Sequence, residues 1–124
     1  MTTAAVADAV DRLEAEHREL GLAPSATDYT DSILAMAGYV RADERSPLVS
    51  TVAVWRHPLG ATVELGTYDG YAGHGIYHVD GARYLGPVDV WFDEGPAELL
   101  PGLSELHAVA RRAAATTNHR EDTR

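Results

Sequence analysis

Two groups of side chains in this sequence are of types that can do chemistry. The first is a set of histidines. Gly73-His74-Gly75-Ile76-Tyr77-His78 carries two imidazoles four residues apart, Asp80 follows, and His57 lies upstream. On a helix that spacing would bring both rings to one metal ion. On a strand it holds them about 13 Å apart on one face, too far to share a ligand. The glycines flanking the segment argue for a strand. His57, His78 and Asp80 fall at the same end of the expected sheet. They form a candidate cluster for holding a metal or moving protons, as in a small hydrolytic enzyme, with His74 in support.

The second group is aromatic. Trp55, Tyr68, Tyr71, Tyr77, Tyr84 and Trp91 are six of the nine aromatic residues, and they alternate along the middle of the chain with Glu64, Asp89 and several glycines. Tyrosine and tryptophan combine a large apolar body with a polar tip, which suits them to contact surfaces. Rings over a glycine floor and edged by carboxylates make a plausible docking face.

Other chemistries lack their residues. There is no cysteine, so thiolate nucleophiles, disulfides and cysteine-based zinc sites are excluded. No serine sits in a G-x-S-x-G elbow, and no phosphate-binding loop or dinucleotide fingerprint is present. No cofactor is expected. The formal charge is −9. Residues 1–47 hold nine acids against four arginines, 48–95 hold six against two, and 96–124 balance at four each. Without a basic patch, phosphate-directed nucleic-acid binding is not expected, and the charge favours a basic protein partner. All ten basic residues are arginine, which together with frequent alanine reads as a GC-rich, bacterial genome. No apolar run approaches a membrane span. The N-terminus carries Asp8 in its apolar stretch and no preceding positive charge, unlike a signal peptide. The expected location is cytoplasmic.

The elements that position these residues follow from periodicity. Val6, Val10, Leu13, His17 and Leu20 recur at helical spacing, so a first helix is expected from Thr3 to Leu20, stopped by Gly21. Ser25 and Asp28 form a capping box that opens a second helix, expected to run to about Ala42 with Tyr29, Ile33, Met36, Ala37 and Val40 inward. From Leu48 the period becomes two. Four strands are expected, at 48–56, 61–68, 71–79 and 82–92.

Asp69-Gly70 and Asp80-Gly81 suit two-residue type I′ turns. Those turns would pair Tyr68 with Tyr71, Leu65 with His74, Tyr77 with Tyr84 and Ile76 with Leu85. Val52, Val54, Val63, Leu65, Ile76 and Leu85 then form the core face. Trp55, Glu64, Tyr68, Tyr71, Tyr77, Tyr84, Asp89 and Trp91 form the outer face, with Gly66, Gly73, Gly75 and Gly86 among them. A bulge at Gly86-Pro87 is needed to bring Val88, Val90 and Phe92 inward. A third helix is expected from Pro101 to near Thr116, with Leu103, Leu106, His107 and Ala110 inward.

The sequence thus predicts an α+β domain over residues 1–116: two N-terminal helices, a four-stranded antiparallel meander in the order 1-2-3-4, and a C-terminal helix, stacked as a two-layer sandwich. A polar tail, 117–124, is expected to be disordered. The leading functional expectation is a non-catalytic interaction domain of the inhibitor, immunity, antitoxin or chaperone type. It would engage a basic protein, or a second copy of itself, through the aromatic outer face. The alternative is the small metal-binding or hydrolytic enzyme built on His57, His78 and Asp80.

Overall fold

The computed structural model describes residues 3–42, 51–66 and 73–122; for residues 51, 52 and 118–122 it describes the backbone alone. Helix α1 spans Ala4–Glu19 and α2 spans Ala26–Met36. Five strands follow: β1 Val40–Ala42, β2 Thr51–Arg56, β3 Thr62–Gly66, β4 His74–Asp80 and β5 Tyr84–Trp91. Helix α3, Pro96–Asp122, closes the order. The strands form one antiparallel sheet in the order β1-β2-β3-β4-β5. The fold is α+β, with five strands instead of the four expected.

The expected capping box opens α2. The Ser25 hydroxyl accepts from the Asp28 N–H at 3.1 Å, and the Asp28 carboxylate accepts from the Ser25 N–H at 2.8 Å. The helix stops earlier than Ala42. Gly38 adopts a φ of 92°, a left-handed conformation that ends helices and that few other residues tolerate. Tyr39 then turns into the core, where its hydroxyl donates to the Ala110 carbonyl at 2.7 Å. Val40–Ala42, expected to be the last turn of the helix, becomes the edge strand β1.

Helix α3 begins at Pro96, not at Pro101. Pro96 takes the first helical position, where a missing N–H costs nothing, and the Gly95 carbonyl receives the Leu99 N–H at 3.0 Å. Pro101 sits in the second turn and forfeits one hydrogen bond there. The backbone helix continues past Thr116 to Asp122, through residues assigned above to the polar tail.

All three helices cover one face of the sheet. Val6 and Val10 of α1, Ile33 and Leu34 of α2, and Leu99, Leu103, Leu106, Ala110 and Ala113 of α3 join Ala53, Trp55, Val63, Tyr77, Val79, Val88 and Val90 in one buried cluster. The two largest side chains sealed in that cluster, Trp55 and Tyr77, were assigned above to the outer face; each is only 1% exposed.

The cause is strand phase. Leu65 pairs with Tyr77, not with His74, and Val63 pairs with Val79, not with Ile76. The register differs from the two-residue-turn expectation by three positions, an odd number, so every side chain of β4 changes face. Asp69-Gly70 itself lies outside the described residues. In the second hairpin Asp80 pairs with Tyr84, so three residues, 81–83, span the turn instead of two. On β2, Ala53 and Trp55 point inward, and Val54 lies apart from the main cluster. The side chain of Val52 lies outside the described residues.

β5 keeps the faces expected of it. Register shifts opposite Tyr84–Pro87, and Gly86 has a φ of 90°, the bulge geometry glycine permits. Val88 and Val90 are buried and Phe92 packs against the core, while Asp89 and Trp91 face outward.

Candidate functional site: the uncovered face of the sheet

Among the described residues no helix covers the opposite face, and the pairing fixes its membership. Cross-strand neighbours share a face. Val54, Glu64, His78 and Pro87 therefore form one row across β2 to β5. Arg56, Thr62, Asp80 and Tyr84 form the next, and His74 beside Trp91 forms a third. Ile76 and Asp89 lie between the last two histidine-bearing positions.

Two aromatic pairs dominate this face. The His74 ring lies flat on the Trp91 indole, with centroids 3.7 Å apart and planes 3° from parallel. Its Nε2 meets an Asp89 carboxylate oxygen at 2.9 Å. His78 turns its Nδ1 to the Tyr84 hydroxyl at 2.9 Å, and its ring edge leans over Gly66, where a Cβ would come within 3.3 Å of Nε2. Tyr84 remains 54% exposed and Trp91 38%, so each ring offers apolar area to a partner while its other contacts fix its orientation.

Of the expected contact residues, Glu64, Tyr84, Asp89 and Trp91 occupy the outer face as anticipated. Trp55 and Tyr77 do not. The Trp55 Nε1–H donates to Asp31 Oδ1 at 2.8 Å, and the Tyr77 hydroxyl bonds Thr30 Oγ1 at 2.7 Å. Both tips are thus satisfied by α2, which removes the cost of burying them. Burial pushes the Tyr77 phenol up to about 12, outweighing the opposing effect of the Thr30 hydrogen bond. Tyr68 and Tyr71 lie outside the described residues. Of the expected glycine floor, Gly66 lies beside the His78 ring. Gly75 faces the core instead: a Cβ there would lie 2.7 Å from Cε2 of Tyr77, so the Tyr77 ring folds back over a position only glycine leaves open.

The histidine cluster is not brought together. His57 follows β2 on the helix side of the sheet. Its ring packs edge-on to Tyr39, with centroids 5.1 Å apart, and sits against Gly38. His57 Nδ1 accepts the Leu59 N–H at 3.1 Å. His78 and Asp80 lie on the outer face. Among the described residues no three His, Asp or Glu side chains converge to hold a metal ion. The His74–Asp89 pair was also missed, because the expected register placed His74 inward. The alternation of β5 had already placed Asp89 and Trp91 outward, and only the phase of β4 hid their partner.

Chemically, an open sheet face with two imidazoles, three carboxylates and two rings is suited to recognition. His74 and Asp89 have the contact of an oriented base, but among the described residues no serine or threonine hydroxyl bonds to either of them. No helix among the described residues is long and apolar enough to cross a membrane. No family model matches the chain, and comparison with curated proteins and with solved structures gives no match.

Proposed function

We propose that this chain is a non-catalytic protein-interaction domain whose uncovered sheet face engages a basic protein partner. The observation that carries the reading is the asymmetry of the sheet. Three helices pack on one face, while the other presents Tyr84 and Trp91, part-exposed and held in place by histidines, among Glu64, Asp80 and Asp89. Rings held rigid lose little freedom on binding, and carboxylates around them favour a basic surface and disfavour an acidic one.

The test compares the wild-type chain with a Tyr84→Ala/Trp91→Ala variant, each immobilised and exposed to lysate of the source cells. The expected result is a basic protein retained by the wild type, released by raised salt, and lost with the variant. Equal retention by both chains refutes the assignment. Sedimentation of the two free chains separates out the self-association form of the reading: a wild-type dimer that becomes a monomer in the variant assigns the face to a second copy.

A further inference from the structure

A second surface has the opposite character. The groove between the N-terminal end of α1 and the C-terminal half of α3 measures about 440 Å³ and is lined by Thr3, Ala5, His107, Arg111, Arg112 and Ala115, with Ala108. In a chain of formal charge −9, this lining holds three basic residues and no acidic one. His107 and Arg111 are one turn apart on α3, and Arg112 adjoins them. Both arginines are exposed, and neither forms an ion pair among the described residues.

His107 is the second, independent observation. It is only 8% exposed, and among the described residues its ring makes no hydrogen bond. Among the described residues no fully buried side-chain nitrogen lacks a partner, so its ring nitrogens keep accessible surface, and His107 lines the groove. Burial, and after it the nearby Arg111 charge, hold its pKa below the ordinary histidine value.

Helix α1 adds a third donor group. It is 16 residues long and has no acidic residue in its first turn. The Thr3 hydroxyl takes the Val6 N–H, and the Thr3 N–H is tied to Ser104 Oγ at 3.3 Å. The N–H groups of Ala4 and Ala5 have no acceptor within the helix, and the positive end of the helix dipole lies there.

We propose that this groove is a binding site for a small oxyanion, a carboxylate or phosphate group, held by Arg111 and Arg112 with His107 as a ring N–H donor and the first turn of α1 behind it. Guanidinium groups bind such oxygens with charge-assisted hydrogen bonds, and a helix N-terminus favours the same charge. The site is separate from the sheet face and independent of the function proposed for that face.

The test uses the whole chain with inorganic phosphate or acetate as probe, at constant ionic strength balanced with chloride. Thermal melting and NMR of the imidazole and amide protons report the outcome. At least one of the two anions should raise the melting midpoint above the chloride control, with saturating shifts at His107, Ala4 and Ala5. Whichever anion responds identifies the head group. In an Arg111→Gln/Arg112→Gln variant, which alters only exposed side chains, the apparent affinity should fall about tenfold or more, as expected for loss of charge-assisted contacts. No stabilisation by either anion, an equal response in the variant, or shifts confined to other surfaces would each overturn the site.

Discussion

The two faces of the sheet use the same residue types for different ends. On the inner face, Trp55 and Tyr77 send their polar tips across to Asp31 and Thr30 of α2, and Tyr39 sends its hydroxyl to the α3 backbone. Each ring joins two layers. On the outer face, Trp91 and Tyr84 find their partners, His74 and His78, on the neighbouring strand. Each of those rings joins only two strands. A ring goes under the helices when a helix supplies a hydrogen-bond partner for its tip, because a buried ring removes more apolar area from water than valine or isoleucine does and no longer carries an unsatisfied polar group. Trp55 and Tyr77 accordingly take the helix side of the sheet, and Val54 and Ile76 the opposite face.

The largest effects should come from truncating inner rings. Trp55→Ala or Tyr77→Ala should cost about 3–5 kcal/mol, since each removes a large buried side chain and leaves a cavity. Each also removes a hydrogen bond to α2. Chemical denaturation measures the loss. If either substitution costs no more than an exposed one, the inner assignment of that ring is wrong.

Alkali should separate the faces next. Burial raises Tyr29, Tyr39 and Tyr77 to about 12 each, with the Glu14 carboxylate adding to the shift at Tyr29. A phenol whose folded pKa lies above its unfolded value, near 10, stabilises the folded chain below that value and withdraws the contribution as pH rises toward 12. The expected outcome is loss of stability between about pH 10 and 12, with these phenols ionising only as the chain opens. Ultraviolet titration alongside circular dichroism checks it. Full ionisation of all six tyrosines while the fold persists would contradict the burial.

Gly75→Ala is a finer probe of the same phase. The added methyl would meet the Tyr77 ring at 2.7 Å, an overpacking expected to cost about 1–3 kcal/mol. Were β4 in the opposite phase, the methyl would face solvent and cost far less.

How much of this was legible in the sequence depends on the range of the signal. The capping box at Ser25–Asp28, the first helix and the glycine-proline bulge of β5 are local, and each stands where its residues put it. β4 was misjudged because its phase depends on loop length. Asp-Gly reads as a two-residue turn, while a hairpin that pairs Leu65 with Tyr77 has an odd offset from that expectation. β1 was missed because Val40 continues the helical spacing of Ile33, Met36 and Ala37, and only the positive φ of Gly38 breaks it. The site inherits these errors unevenly. Glu64, Tyr84, Asp89 and Trp91 sit on strands whose alternation is self-consistent, so they were legible. Their histidine partners sit on β4 and were not.

The smallest stability effects belong to the outer rings, and there a null result is informative. Tyr84→Ala and Trp91→Ala should each change stability by no more than about 0.5 kcal/mol, the range for surface substitutions that break no special feature. The stacking of Trp91 on His74 and the Tyr84–His78 contact are exposed and join only neighbouring strands, so losing them should leave the two layers intact. Trp91 fluorescence should be readily quenched by acrylamide, whereas Trp55, sealed beneath α2, should resist it. A stability cost for Trp91→Ala comparable with that for Trp55→Ala would mean that the outer rings hold the fold together. Their exposure would then no longer argue for a binding surface, because a side chain kept for stability needs no partner to explain it.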